Sequence, residues 1–77
     1  MNKEHADVYK KLRFNITYTR KMQGLSQLQL AERVGISRTH MSNIEAPNSD
    51  IGLSLDALIR IAAALNIPIA KLFEFRD

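Results

Sequence analysis

The chain has 77 residues, which suffices for one small domain and, we expect, leaves no room for a second module. Hydrophobic residues make up 45% of it and charged residues 25%, as in folded globular proteins rather than disordered chains. It has no cysteine, which excludes disulfide frameworks and thiolate metal sites, and no apolar run approaches the roughly 18 residues of a membrane span. The N-terminal sequence is polar and lacks the apolar segment of a secretory signal, so we expect a cytoplasmic protein.

The basic residues are concentrated in the first half of the chain. Residues 1–45 contain eight Lys and Arg against four Asp and Glu, a net charge of +4, whereas residues 46–77 contain three against four, a net charge of −1. An anionic partner of the first half fits this imbalance, with nucleic acid the leading candidate. A solvated helix surface that is merely basic fits it equally well, so charge alone leaves both interpretations open.

The sequence predicts an all-α chain of five helices, because alternating apolar and polar runs are absent and Gly and Pro fall only at joints. The first helix is expected over about residues 6–22, and Gly24 ends it by supplying a left-handed backbone conformation. Its apolar face follows the helical spacing i, i+4, i+8 and i+11 and is expected to consist of Val8, Leu12, Ile16 and Thr19.

Two short helices follow. The second begins at Ser26, whose hydroxyl can accept a hydrogen bond from a first-turn N–H, and it ends at Gly35. The third begins at Ser37 and closes at Glu45, because Pro47 disfavours helical geometry in the residue before it. The expected apolar positions are Leu28, Leu30, Ala31 and Val34 in the second helix and Met41 and Ile44 in the third.

A loop is expected over residues 48–52, and the fourth helix begins after it at Ser54. Asp56 lies in its first turn, where the helix dipole favours an acid, and Asn66 is expected to cap its C-terminal end. Pro68 suits the first turn of a fifth helix. The apolar residues are Leu55, Leu58, Ile61, Ala62 and Leu65 on the inward stripe of the fourth helix and Ile69, Leu72 and Phe73 in the fifth.

Residues 27–45 predict a helix-turn-helix. Two short helices joined by a three-residue turn must cross at a steep angle, and a close crossing requires a small residue such as Ala31 where they meet. Gly35 gives the turn a residue without a Cβ, and Ile36 can fill the space beneath both helices. The joint pattern consists of Leu30, Ala31, Val34, Gly35, Ile36, Met41 and Ile44.

The third helix then keeps a polar outer face. Its side chains form hydrogen bonds and none is acidic, which suits a groove lined by phosphates. Arginine can bond guanine and asparagine can bond adenine through two hydrogen bonds each, and a threonine methyl can contact thymine. This composition is expected of a helix that reads the DNA major groove, and an ordinary polar helix surface is the alternative. The face consists of Arg38, Thr39, Ser42 and Asn43, with His40 to one side.

The sequence resembles the Xre family of helix-turn-helix proteins, which includes phage repressors and Cro. The resemblance rests on GLSQ at residues 24–27, LAERVGISR at 30–38, IE at 44–45 and AAALNI at 62–67, and it extends over about residues 12–73. It implies a single domain over residues 1–77, a compact five-helix bundle of the lambda-repressor type, and sequence-specific DNA binding by homodimers on palindromic operators. Residues 38–42 and the length of the following loop are also similar to the controller proteins of restriction-modification systems.

The resemblance implies roles for individual residues. Arg20 and Glu45 match a pair that forms a largely buried salt bridge between the first and third helices. The residues expected to read bases are Arg38, Thr39 and Asn43. The residues expected to contact phosphates are Ser26, Gln27, Ser37, His40 and Ser42.

Tight binding is expected to need a homodimer, because one recognition helix reads only a few base pairs and the chain has no second domain to add contacts. The fourth and fifth helices have low net charge and carry more apolar residues than one inward stripe needs. Completion of a small core is the alternative use of these side chains. The expected dimer interface consists of Ile59, Ile67, Ile69, Phe73 and Phe75.

The expected partner is double-stranded DNA, and the expected function is transcriptional regulation. An antitoxin or adaptor that binds another protein through the fourth and fifth helices is the alternative. The sequence shows no nucleophile–base pair or phosphate loop, so neither an enzyme nor a cofactor is expected, and no small-molecule substrate. His5 and His40 lack a nearby cysteine or acid pair, so no metal site is expected.

Overall fold

The computed structural model describes residues 3–75, with side chains from residue 5 onward. It contains four α-helices, α1 (Lys3–Met22), α2 (Gln27–Val34), α3 (Arg38–Glu45) and α4 (Leu55–Ala64), followed by a 3₁₀ helix over Ile69–Phe73. No strand occurs within residues 3–75, so the all-helical prediction is confirmed for them. None of the helices described is both long and apolar enough to cross a membrane.

The predicted fifth α-helix is a 3₁₀ helix of five residues, so the five-helix count is not confirmed. The Lys71 N–H donates to the Pro68 carbonyl at 3.0 Å and the Glu74 N–H donates to the Lys71 carbonyl at 3.3 Å, the i to i+3 pattern of the tighter helix. Pro68 precedes this element with an extended backbone instead of occupying its first turn.

The helices enclose one apolar core. α2 packs against α3 and α4, whereas α1 packs against α3 and the 3₁₀ helix, which in turn contacts α4. The inner face of α3 therefore belongs to the core, and burial of this face holds the helix in place. The buried apolar side chains are Leu12, Ile16, Leu30, Ala31, Val34, Met41, Ile44, Leu53, Leu58, Ile61, Ala62, Leu65 and Leu72.

Serine side chains set where the three short α-helices begin. Ser26, Ser37 and Ser54 each accept a hydrogen bond at Oγ from the backbone N–H three residues further on, at 3.0 Å. Gln29 adds a reciprocal bond, because its side-chain oxygen accepts from the Ser26 N–H at 2.8 Å. The predicted starts of α2, α3 and α4 are confirmed.

The turn between α2 and α3 depends on Gly35. Its φ of +88° lies in the left-handed region, and its N–H and that of Ile36 both donate to the Ala31 carbonyl, at 2.8 and 3.0 Å. Arg60 of α4 reaches the same turn, where Nη2 donates to the Val34 carbonyl at 2.9 Å. A Cβ on Gly35 would lie 3.3 Å from that nitrogen, so the turn has little room for a side chain.

Several expected inward positions are wrong. Leu28 is 51% exposed, because it lies about 200° around α2 from the buried Leu30. Val8 and Leu55 are also exposed, and each lies N-terminal to the first buried residue of its helix, Leu12 in α1 and Leu58 in α4. Thr19 is half-buried, and α1 begins at Lys3 instead of near residue 6.

We expect Gly35→Ala to lower the free energy of unfolding by about 1–2 kcal/mol, since alanine is strained in the left-handed region and its methyl group would press on Arg60. Gly52→Ala is the matched control, because a Cβ there meets no atom within 4 Å. Chemical denaturation of both variants measures the difference. Equal stability of the two variants would contradict this account of the turn.

Candidate nucleic-acid interface

α3 divides its residues between the core and the solvent. Met41 and Ile44 point inward and are almost fully buried. On the opposite side the residues predicted to read bases, Arg38, Thr39 and Asn43, are all exposed. His40 is exposed beside them and Ser42 is half-buried. The structure therefore brings the predicted base-reading residues together on one accessible side of the helix.

The side chains on the outer face of α3 make no polar contact with the rest of the described structure. Within the part of the chain that the structure describes, the side chains of Arg38, Thr39 and Asn43 make no hydrogen bond and no ion pair. Neither α2 nor α3 carries an acid in its first turn. Free donors and acceptors without nearby negative charge are what contact with phosphates and base edges requires.

Two of the three serines predicted to contact phosphates, Ser26 and Ser37, are N-caps in the structure, whereas Ser42 lies within α3. Ser26 and Ser37 accept backbone hydrogen bonds at Oγ, and both residues are exposed. A hydroxyl that accepts in this way retains its own proton as a donor. Capping and donation to a phosphate oxygen are thus compatible at the first turns of α2 and α3.

A buried ion pair joins the ends of α1 and α3. Arg20 donates from Nε to Glu45 Oε2 and from Nη2 to Oε1, each at 2.9 Å. Only 8% of the Arg20 side chain and 4% of the Glu45 side chain are exposed. The remaining amino group, Nη1, donates to the Leu25 carbonyl at 2.8 Å, which ties the turn before α2 to the same guanidinium. This geometry places the predicted pair between the first and third helices.

Two neighbours extend the ion pair. Thr17 Oγ1 donates to Glu45 Oε1 at 2.9 Å, and Gln27 Nε2 donates to the same oxygen at 3.3 Å. Gln27 is predicted to bond a phosphate. In the structure one of its two amide protons is donated to Glu45, and the other remains available as a donor. Sequence reasoning did not find the part played by Thr17, although its spacing of three residues from Arg20 puts both on neighbouring positions of one helix face.

Arg13 is the functional candidate that the sequence reasoning missed. It is 1% exposed, and its guanidinium donates to the carbonyls of Asn43, Ile44 and Ile51. The available signal was its spacing, because residues 13, 16 and 20 follow i, i+3 and i+7 and share one side of α1. A charged residue is normally expected in solvent, so this spacing alone does not predict that Arg13 is buried.

The residues predicted to form a dimer interface differ in exposure. Ile59 on α4 and Phe73 at the end of the 3₁₀ helix are exposed, whereas the other three are half-buried and pack against the core. Leu55 precedes Ile59 by one helical turn and is 64% exposed, so α4 presents two adjacent apolar side chains to solvent. The three half-buried residues are Ile67, Ile69 and Phe75.

Metal-ligating side chains are not grouped in the described region. Among those residues, no three His, Cys, Asp or Glu side chains lie close enough together to hold one ion. His5 and His40 are both exposed, one near the start of α1 and the other in α3.

Known proteins match most of the chain. A protein family described as helix-turn-helix matches residues 16–72. Control protein C.SmaI of Serratia marcescens is 38% identical over 66 residues, which cover 86% of this chain and 76% of that protein. The crystal structure of the restriction-modification controller protein C.AhdI of Aeromonas hydrophila matches with a TM-score of 0.78 and 31% identity, covering 88% of this chain and 98% of that one.

We expect Glu45→Ala to lower the free energy of unfolding by about 3–5 kcal/mol, because the buried Arg20 would lose its counter-ion. Glu74→Ala removes an exposed carboxylate paired with Lys71 and should change stability by about 0–1 kcal/mol. Denaturant unfolding followed by circular dichroism gives both values. Similar losses in the two variants would show that the buried pair has no special role.

Proposed function

Because the chain belongs to the Xre-type helix-turn-helix family of DNA-binding regulators, we propose that it regulates transcription by binding a palindromic operator as a homodimer. α3, together with its cap at residue 37, is the recognition helix and enters the major groove. Arg38, Thr39 and Asn43 read base edges. The observation that carries this proposal is the exposed polar side of α3, whose side chains bond nothing within the described residues.

Phosphate contacts position the recognition helix. The capped first turns of α2 and α3 offer backbone N–H groups and serine hydroxyls, and the macrodipole of each helix favours a negative charge there. The positive charge of residues 1–45 adds a longer-range attraction. Affinity therefore falls steeply as salt rises. The residues that make these contacts are Ser26, Gln27, Ser37, His40 and Ser42.

Homodimer formation supplies the second half of the binding site. A single small module buries about 600–1,000 Å² on DNA, and a symmetric pair doubles these contacts with the two recognition helices about 34 Å apart. The exposed apolar residues of α4 support pairing through this helix, with Ile59 at the centre and Leu55 beside it. Phe73 extends the interface, and the half-buried Ile67, Ile69 and Phe75 support it from beneath.

The regulated genes are those of a restriction-modification system. The two similar proteins named above are a control protein and a restriction-modification controller protein, and the similarity covers 86% and 88% of this chain. Such a regulator needs no enzyme activity and no cofactor of its own. Control follows from where on the promoter the dimer sits.

A second candidate function is binding of another protein, as in an antitoxin or adaptor. A groove of about 690 Å³ between α1 and the C-terminal segment favours it, because aromatic side chains line the groove. Phe14 and Tyr18 stack on one wall with ring centroids 6.1 Å apart, and Phe75 lies on the other. In this alternative the groove holds the partner protein, and the chain is a monomer when purified alone.

Selection of bound duplexes from a random pool tests the proposal, and recovery of a palindromic site is the expected result. Arg38→Ala should then weaken binding to that site by about 1–3 kcal/mol and relax the preference at one base pair, since arginine can bond guanine at two positions. Titration of the selected duplex and its single-base variants measures both effects. An equal loss on every duplex would make Arg38 a phosphate contact, and failure to enrich any sequence would overturn operator recognition.

We expect sedimentation equilibrium to show a dimer and Ile59→Glu to convert it to a monomer, because the substitution places a charge in the apolar contact. Leu28→Glu is the matched control, since Leu28 and Ile59 are both 51% exposed but lie on different helices. It should leave the dimer intact. A wild-type monomer would favour the protein-binding alternative, and a dimer that survives Ile59→Glu would place the interface elsewhere.

A further inference from the structure

Arg13 links three segments of the fold from a buried position on α1. Its Nη1 donates to the Ile44 carbonyl at 2.8 Å and to the Asn43 carbonyl at 3.4 Å. Its Nη2 donates to the carbonyl of Ile51 in the loop between α3 and α4. One side chain thus holds both the end of the recognition helix and the chain that follows it.

The carbonyls at the end of α3 need an outside donor. The last four carbonyls of an α-helix have no partner within the helix. Here the Ala46 N–H serves the Ser42 carbonyl at 3.0 Å. The N–H of residue 47 would donate to the Asn43 carbonyl, but residue 47 is a proline and has no N–H. Arg13 supplies the missing donor from a different helix.

The charge of Arg13 is compensated by carbonyl groups instead of an acid. The ion pairs among the described side chains all involve other residues. Burial lowers the pKa of the Arg13 guanidinium, an effect that the charge of nearby Tyr9 opposes. The C-terminal end of α3 carries the partial negative charge of the helix dipole, which favours a cation at this place.

We propose that Arg13 is a positioning residue for DNA reading, which caps the recognition helix from α1 and thereby fixes the orientation of Asn43. The proposal rests on the function proposed above. Asn43 is the connection, because its main-chain carbonyl contacts Arg13 while its side chain lies on the exposed face of α3. Arg20 bonds the side chain of Glu45, the final residue of α3, whereas Arg13 bonds the backbone carbonyl of Ile44, the residue before it.

Lysine at position 13 tests this role while keeping the charge. A single ammonium group cannot reach three carbonyls in the fork geometry of a guanidinium. Arg13→Lys should lower affinity for the selected operator about tenfold, which is the effect of losing one well-placed base contact. The affinity for a scrambled duplex, and the salt dependence of that affinity, should not change. Arg33→Lys is the control, because Arg33 is exposed and makes one long hydrogen bond, to the Ala64 carbonyl. It should change neither the affinity for the operator nor that for the scrambled duplex.

A double-variant cycle separates positioning from general stability. If Arg13 acts through Asn43, then Asn43→Ala already removes the base contact that Arg13 supports, and adding Arg13→Lys should lower operator affinity less than twofold further. Independent effects that multiply in the double variant would overturn the proposal. Equal losses of Arg13→Lys on operator and scrambled duplex would overturn it as well.

Hydrogen exchange of the wild-type chain keeps the test open if the variants do not fold. Ala46 and Leu65 are equivalent C-terminal positions of α3 and α4, with N–H bonds of 3.0 and 2.9 Å to the residue four earlier. A capped α3 should protect the Ala46 amide to within about tenfold of Leu65. Exchange of Ala46 at the rate of an unstructured amide would overturn the proposal without DNA. A protected Ala46 in a chain that selects no operator would refute the proposed function, and the role in DNA reading with it, but would leave the cap on α3 standing.

Discussion

The fold depends on one carboxylate, that of Glu45, where three helices meet. Hydrogen bonds reach it from Thr17 and Arg20 of α1 and from Gln27 of α2, and Glu45 itself is the last residue of α3. A buried charge without partners is costly, so none of these helices can move away alone. One buried site thus joins α3 to both α1 and α2.

The contacts that hold α3 in the fold are confined to one side of the helix and to its ends. Met41 and Ile44 anchor it in the core, Ser37 caps its start, and arginines of α1 hold its end. The side chains that project outward are left without internal partners in the described structure. Such a face can change in sequence with little effect on stability.

Local chemistry explains what could be predicted from sequence. Serine caps and Gly35 located α2, α3 and α4, because a hydroxyl and a left-handed residue act on their immediate neighbours. The outer face of α3 followed from helical periodicity once Met41 and Ile44 were assigned inward. The resemblance added the pairing of Arg20 with Glu45.

What failed depended on distant parts of the chain. The identity of a leucine does not tell which element of the fold covers it. The inward positions predicted for Leu28 and Leu55 are therefore wrong, and both side chains are more than half exposed. Arg13 was missed because its partners are main-chain carbonyls, which every residue has and which leave no mark in the sequence. The predicted fifth α-helix is a 3₁₀ helix of five residues, a length at which this helix type is common.

The two arginines of α1 also constrain how the chain assembles during synthesis. Arg20 precedes Glu45 by 25 residues and Arg13 precedes Ile51 by 38, so each guanidinium is synthesised before its partner. Each must stay hydrated until then, since burying it unpaired is unfavourable. The hydrogen bonds of Arg13 are therefore complete only once the loop beyond Pro47 has been made, and a fragment that ends earlier lacks the acceptor at Ile51.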